Sequence, residues 1–362
     1  MRKAVNSPMW TSTKKLHSMS LTAALFVVCW AGIQSKAIAA DYLSQLNTRP
    51  SMKSQIATSS LLTSLDVFDS KLVAVGDNGH ILISEDNGEH WEQSEVPVQL
   101  LLTAVDFPTP TQGWVVGHEG VILHSSDAGK TWQLQYAKPH VVRTDEELNQ
   151  LSDEDFTKLP QEGSPLLDIW FRDDKEGFAV GAYGMFLHTE DGGKTWKDVA
   201  DRIDNFDGWH LNSITSNRQG IVYIAGEKGV LFRSDDFGDS WVTLPSPYEG
   251  SFFGVLPGYG PDDVFIYGLQ GNIFKSGDRG DSWQKVKSDA SDGLMDGVVL
   301  GEDSVILVGN SGVVLTSQDS GESFSMQVTS SRNALLAIEK TPNGKLIMVG
   351  QGGVQLATPK TK

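Results

Sequence analysis

Carboxylates are the side chains of this 362-residue chain that are most able to do chemistry, and one aspartate recurs within a fixed pattern. The pattern is Ser/Thr-x-Asp-x-Gly-x-x-Trp, and its first copy occupies residues 84–91. The six copies share an aspartate and a closing aromatic residue, which are Asp86 and Trp91, Asp127 and Trp132, Asp191 and Trp196, Asp236 and Trp241, Asp278 and Trp283, and Asp319 and Phe324. A recurring carboxylate raises two possibilities, calcium binding and acid–base catalysis.

The spacing of the other residues argues against both kinds of chemistry. A calcium loop needs carboxylates at alternating positions and a closing glutamate, and the copies have neither. The arginine residues are scattered, and the Arg-Ile-Pro motif that opens sialidases is absent. The histidines lack the paired spacing of a metal site. We expect no metal and no cofactor, although a carboxylate pair for glycoside hydrolysis is neither singled out nor excluded.

The motif has a mechanical explanation as a turn between two strands. Its aspartate can accept hydrogen bonds from the backbone of its own turn, and its glycine can adopt a positive φ at no steric cost. Its tryptophan supplies a large apolar side chain with one N–H group to satisfy. Because a device repeated in every unit is architecture, we expect these twelve residues to be structural.

A second pattern precedes each copy and gives the length of the repeat. Two apolar residues and Gly-x-x-Gly occur seven times, ending at Gly79, Gly120, Gly184, Gly229, Gly271, Gly312 and Gly353. Each unit reads as strand, loop, strand, two-residue turn, strand, box and strand. Four short strands in about 41 to 45 residues are typical of a propeller blade. The sequence therefore predicts an all-β, seven-bladed β-propeller.

The last repeat ends without a box or a fourth strand, which leaves an open strand edge. We expect residues between 41 and 60 to supply the outermost strand of this blade and so to close the ring. In a propeller, the turns between second and third strands share one face with the connections between blades. We call this the loop face. The boxes lie on the other face, at the outer rim.

The two patterns together resemble the Asp-box, or BNR, repeats of the photosystem II stability/assembly factor family. The resemblance extends from about residue 61 to residue 358. It implies a non-catalytic, exported protein that holds an integral membrane-protein complex on the non-cytoplasmic side. The implied client is photosystem II in a photosynthetic host, and an inner-membrane transporter in a non-photosynthetic one.

The first 39 residues indicate a secretory signal peptide. Lys14 and Lys15 precede an apolar run at 21–33, and small residues at 37–39 supply a cleavage site. We expect residues 40–362 to form one domain located in the periplasm, with the lumen or the extracellular space as alternatives. Cleavage leaves 24 basic and 46 acidic residues, an excess of acid that argues against nucleic acid and anionic lipid as partners. It also removes Cys29, the single cysteine.

The repeat length is broken once, by an insertion between blades at about residues 138–165. Loops on a rigid scaffold are where binding usually resides. We therefore expect partner binding on the loop face, at Arg143, Glu147, Leu148 and Leu151 of the insertion and at Tyr183, Trp209, His210 and Tyr248 beside it. The alternative is a secreted glycan-binding or glycoside-hydrolase propeller. Carboxylates and aromatics around the central channel favour that alternative, and an apolar or mixed patch beside the insertion favours partner binding.

Overall fold

A computed structural model describes residue 46, residues 48–138 and residues 163–357 of the chain. The expected signal peptide and most of the insertion lie outside these residues. Within them, 27 strands form seven antiparallel sheets. The fold is a seven-bladed β-propeller, as the sequence predicted.

Each blade is a meander of strands in chain order. Blade 1 has β1 (Leu62–Phe68), β2 (Lys71–Gly76), β3 (Ile81–Ser84) and β4 (Glu92–Gln93); blade 2 has β5 (Leu102–Asp106), β6 (Gly113–Gly117), β7 (Ile122–Ser125) and β8 (Gln133–Tyr136). Blade 3 has β9 (Leu166–Phe171), β10 (Gly177–Gly181), β11 (Phe186–Thr189) and β12 (Lys197–Asp198); blade 4 has β13 (Leu211–Ser216), β14 (Val222–Gly226), β15 (Leu231–Ser234) and β16 (Val242–Thr243). Blade 5 has β17 (Phe252–Pro257), β18 (Val264–Gly268), β19 (Ile273–Ser276) and β20 (Gln284–Lys285); blade 6 has β21 (Leu294–Val299), β22 (Val305–Gly309), β23 (Val313–Ser317) and β24 (Ser325–Val328). Blade 7 has β25 (Leu335–Lys340), β26 (Leu346–Gly350) and β27 (Gly353–Ala357).

The first strands of the seven blades form the inner ring of the disc. Each one contacts the first strand of the next blade, and β25 contacts β1, so the ring is closed. Among the described residues, blade 7 has three strands, and the segment 48–61 pairs with none of them. That segment instead ends in a 3-10 turn, Ala57–Ser59, that packs against β27. The fourth strand expected from residues 41–60 stays a prediction, because part of that range lies outside the description.

The second and third strands are joined differently from what the sequence suggested. The predicted two-residue turn is a three-residue 3-10 turn in blades 1 to 6, at Asp77–Gly79, His118–Gly120, Ala182–Gly184, Glu227–Gly229, Leu269–Gly271 and Asn310–Gly312. The middle residue of each turn has a left-handed φ between 55° and 59°. The last residue is glycine for a steric reason, since a Cβ at Gly79 would lie 2.1 Å from the carbonyl oxygen of Val98. These turns therefore pack tightly on the connection to the next blade.

The hydrophobic core consists of seven clusters, one between each pair of neighbouring blades. Between blades 1 and 2, for example, Val73 and Ile83 meet Val105 and Leu123. The ring closes in the same way, because Leu72 and Leu82 of blade 1 meet Ile347 of blade 7. A single blade has no core of its own, so each blade is stabilised by its two neighbours.

The boxes connect β3 to β4 in blade 1 and the equivalent strands in blades 2 to 6. In the first box, the Ser84 hydroxyl donates to Asp86 Oδ1 over 2.9 Å and accepts from the backbone N–H of Gly88 over 2.8 Å. The backbone N–H of His90 also donates to Asp86 Oδ1, over 2.8 Å. The same contacts recur in the other five boxes. Each aspartate is thus engaged within its own turn.

The closing aromatic of each box packs between its own blade and the preceding one. Trp91 joins the cluster of blades 7 and 1, and Trp132 joins that of blades 1 and 2. Trp132 is 4% exposed, meets the Phe107 ring edge-on at 5.9 Å and donates its indole N–H to Gly129 over 2.8 Å. The box therefore seals the outer part of an interface between blades.

Acidic side chains connect neighbouring inner strands around the central channel. Asp66 accepts the backbone N–H of Phe107 over 2.7 Å, and Asp106 accepts that of Phe171 over 2.6 Å. Asp168 likewise accepts the backbone N–H of Ile214, and Asp296 accepts that of Ile338, each over 2.8 Å. Glu339 of blade 7 also faces this space, because it raises the pKa of Tyr267 together with Asp168 and Asp296.

Burial in the channel favours the neutral forms of these acids. It raises the pKa of Asp66 and of Asp168 from 3.8 to about 6, and that of Asp296 to about 7. The pKa values of Asp106 and Glu339 are also raised well above their ordinary values, first by burial and then by the neighbouring charges of Asp66 and Asp296 respectively. Backbone N–H donors oppose these shifts only in part. The channel is a site where negative charge accumulates as pH rises.

Truncation of a box tryptophan tests its role between blades. We expect Trp132→Ala to lower the free energy of unfolding by about 3–5 kcal/mol, because it empties a buried space beside Phe107. Urea unfolding followed by circular dichroism measures the change. Trp209→Ala is the control, since Trp209 is half-buried on the loop face and should cost less. Equal losses for the two variants would contradict a special role for the box residue.

The channel predicts a pH dependence of stability that Asp296 carries in part. The folded-state pKa of Asp296, about 7, lies above its ordinary value of 3.8, so the folded protein binds more protons between these pH values. The contribution of protonated Asp296 to the stability of the folded protein is therefore fully present below about pH 4 and is lost as pH rises through about 7. With a chelator present to exclude any effect of bound metal ions, we expect the melting temperature of the wild type to fall relative to that of Asp296→Asn as pH rises over this range. Parallel curves for the two proteins would show that burial of Asp296 has no such effect.

Candidate docking face

The insertion begins and ends on the loop face, beside blade 2. The backbone N–H of Lys138 donates to the carbonyl of Glu119 in the turn between β6 and β7, over 3.3 Å. At the other end, a Cβ at Gly163 would lie 3.1 Å from Oε1 of the same Glu119. Arg143, Glu147, Leu148 and Leu151 lie outside the described residues, and their binding role stays a prediction.

Tyr183 is presented to solvent by the left-handed turn of the neighbouring blade. It is the middle residue of the turn between β10 and β11, with φ 56°, and is 52% exposed. Its ring meets His210 edge-on with 5.0 Å between ring centroids. His210 in turn lies 4.0 Å from Glu227, measured from Nδ1 to Oε2. The turn thus holds an aromatic ring outward beside a polar pair.

Trp209 lies next to this pair in the connection from blade 3 to blade 4. Asn205 fixes the loop, since its amide group accepts the Trp209 N–H over 3.0 Å and donates to the Trp209 carbonyl over 2.8 Å. The ammonium group of Lys228 lies 5.7 Å from the centre of the Trp209 ring. Trp209 is half-buried and combines an aromatic surface with a cation.

Phe206 also belongs to the loop face, although the sequence did not single it out. It lies in the same connection and is 94% exposed. The sequence signal was a large apolar residue between Asn205 and Asp207, where a loop does not require one. Leu269, in the turn between β18 and β19, adds another exposed apolar side chain on blade 5. We call Tyr183, Phe206, Trp209 and His210 the aromatic patch.

Tyr248 is less available than the sequence suggested. It lies one blade further round and packs against Phe252 and Phe274, with ring centroids 6.1 and 6.3 Å away. Its hydroxyl donates to Oε1 of Gln270 over 3.3 Å. Tyr248 therefore lies at the margin of the core of blades 4 and 5, apart from the aromatic patch.

Most carboxylates of the channel are already engaged by the backbone of the propeller. Carboxylates are present there, as the glycan alternative requires, but Asp66, Asp168 and Asp296 each use both oxygens to accept backbone N–H groups. On the box side, a cleft of about 590 Å³ includes Asp86, which is bound to His90 at 2.6 Å. In the described part of the chain, no three His, Cys, Asp or Glu residues are placed to hold a metal directly.

The structure also bears on contact with a membrane. In the residues that it describes, there is no helix with the length and apolar character needed to cross a bilayer.

Curated relatives of the chain match over part of their length. A photosystem II stability/assembly factor HCF136 of Cyanidioschyzon merolae is 29% identical over an alignment of 199 positions that covers 46% of this chain and 43% of the relative. A photosystem II assembly lipoprotein Ycf48 of Synechococcus sp. is 36% identical over 86 residues, 24% of this chain and 25% of the relative. Each match spans less than half of the relative.

Solved structures show the same fold over most of the chain. One titled YCF48 bound to D1 peptide has a TM-score of 0.63 at 19% identity, covering 83% of this chain and 93% of that one. YCF48 from Cyanidioschyzon merolae has a TM-score of 0.64 at 18% identity, with coverages of 83% and 95%.

A family model decides the relationship. The model for photosynthesis system II assembly factor YCF48 matches residues 43–148 and 146–250, which together are more than half of the chain. The matched region contains the first four boxes and the aromatic patch. The chain belongs to the photosynthesis system II assembly factor YCF48 family.

Proposed function

We propose that this protein is an exported, non-catalytic assembly or stability factor that docks on an integral membrane-protein complex through its loop face. Membership of the assembly-factor family supports the general role. The observation that carries the docking site is the aromatic patch beside the insertion. Phe206 and Tyr183 expose apolar rings in loop and turn positions that the fold does not require.

The patch has the composition of a protein-binding surface. Aromatic residues are enriched in interfaces, where tyrosine and tryptophan bury a large area at little entropic cost. Asn205 and the turn at Ala182–Gly184 hold Trp209 and Tyr183 in place before any partner arrives. Such preorganisation lowers the cost of binding. His210, Glu227 and Lys228 supply a polar rim.

The partner class follows from the relatives. A family structure is titled as bound to a D1 peptide, and curated relatives are named for photosystem II assembly. We infer a segment of an integral membrane protein as the client of this chain as well. Photosystem II is the client expected in a photosynthetic host, and an inner-membrane transporter is the one expected elsewhere.

The glycan-active alternative has one supporting feature, the carboxyls of the channel. We assign them to the scaffold because most of them hold the next inner strand by its backbone N–H. A glycosidase would need two carboxyls on either side of the scissile bond with room for a sugar. A panel of glycoside substrates and a glycan array test this alternative directly.

Two exposed substitutions test the docking site without disturbing the core. We expect Tyr183→Asn with Phe206→Ser to reduce the yield of a membrane-protein client in a pull-down from gently solubilised membranes by about tenfold or more, since interface aromatics can each contribute 2 kcal/mol. Asn suits the left-handed turn at position 183. Removal of residues 139–162 should also reduce the yield.

The matched control is Tyr259→Ser. Tyr259 is an exposed aromatic between β17 and β18, on the opposite face of the disc. It should leave the yield of the client unchanged. Loss of the client in this control alone, or equal yields from all variants, would contradict docking through the loop face.

Export is tested separately, at the N-terminus. We propose that the protein is periplasmic and that cleavage follows Ala39 or Ala40, because small residues at 37–39 follow the apolar run. Mass spectrometry of the native protein should give a first residue of Ala40 or Asp41. Recovery of an intact N-terminus from the cytoplasmic fraction would contradict this proposal.

A further inference from the structure

The central channel is lined with oxygen atoms from every blade. Asp66, Asp106 and Asp168 come from blades 1 to 3, and Asp296 and Glu339 come from blades 6 and 7. Blade 4 contributes Ser213, whose hydroxyl is hydrogen-bonded to Asp168. The remaining blade contributes a tyrosine. Successive members of this set are about 30 to 60 positions apart in the sequence, and they converge only because the ring closes.

Tyr267 reaches the channel through its own blade. It belongs to β18, the second strand of blade 5, yet a Cβ at Gly254 on the inner strand β17 would lie 2.5 Å from its hydroxyl oxygen. The tyrosine therefore occupies the space that a side chain at position 254 would take, between Asp168 and Asp296. Tyr267 is 2% exposed, its hydroxyl has no hydrogen-bond partner among the described residues, and the hydroxyl is not one of the sealed polar atoms that lack a partner. The hydroxyl therefore opens into the channel, where it is free to bind a water molecule or the hydration shell of an ion.

No basic side chain balances the acids of this space. In the described part of the chain, none of the five carboxyls forms an ion pair, and no lysine, arginine or histidine influences their protonation. Oδ1 of Asp106 accepts no hydrogen bond from a described residue, so it keeps free lone pairs. Like charges in a channel with low-dielectric walls focus a negative potential that attracts cations.

We propose that the channel binds a hydrated divalent cation of the hard type, Mg²⁺ or Ca²⁺, between Tyr267, Asp168, Asp296 and the facing acids Glu339, Asp66 and Asp106. Hard cations prefer carboxylate and hydroxyl oxygens. Direct coordination by three acidic side chains is not available in the described residues, so water completes the shell. Ions of the Mg²⁺ type keep several waters and bind through one or two carboxylates. The ion links the first strands of blades that do not touch each other.

Calorimetric titration of the chelator-treated full-length mature protein with MgCl₂ and with CaCl₂ at pH 8 tests the site. We expect one ion per chain and a higher melting temperature when the ion is added. The double variant Asp168→Asn with Asp296→Asn should weaken binding by about tenfold or more, since it removes two charged partners. Each asparagine keeps one oxygen that can accept a backbone N–H group where the aspartate used two. Absence of binding by both ions would overturn the proposal and would leave protons as the means of neutralising the channel.

Two further variants keep the result specific to the channel. Tyr267→Phe removes one oxygen and leaves the carboxyls and the packing in place, so it should weaken binding while preserving the circular dichroism spectrum. Asp201→Asn with Asp281→Asn removes the same charge from exposed positions outside the channel and should bind as wild type does. Binding that is lost in this control, or that is unchanged in both channel variants, would place the ion elsewhere and overturn the proposal.

Discussion

Contact between neighbouring blades is the constraint on which this molecule depends. A four-stranded blade is too thin to bury its own apolar faces, so all seven clusters of the core lie between blades. Two recurring kinds of side chain stabilise these interfaces between blades. Box residues such as Trp132 close the outer part, and channel carboxyls such as Asp66 hold the next strand at the centre. The connections between blades combine both situations, since Val98 and Ile203 pack into the core whereas Phe206 is exposed.

The aromatic patch lies in one of these connections and in the turn that packs on it. Phe206 and Trp209 belong to a connection between blades, and Tyr183 belongs to a turn that packs on it. The exposed rings of Tyr183 and Phe206 thus lie outside the packed clusters of the core, in loops and turns of the kind that usually carry binding residues on a repeat scaffold.

The repeat architecture could be predicted from sequence because its signals are local. The box and the Gly-x-x-Gly turn each span fewer than ten residues, so their spacing alone predicts seven blades. The left-handed residues Glu119 and Tyr183 gave no such signal, because neither residue type favours that conformation. The channel was invisible for a different reason. Asp66 and Glu339 lie 273 positions apart, and only closure of the ring brings them to the same space. Phe206 was passed over because exposure of a loop residue depends on its neighbours in space.

The core between blades 6 and 7 differs in composition from the cores between the other pairs of blades. Six joints contain at least one aromatic ring, but the described cluster between blades 6 and 7 is built from aliphatic side chains such as Ile306, Val308, Leu335 and Leu346, and from Met348. This joint therefore relies on the close packing of β21 against β25 and on Asp296, which accepts the Ile338 N–H over 2.8 Å. With no ring to fill space, the joint depends on the fit of its branched side chains, so that loss of a single methylene there leaves a cavity.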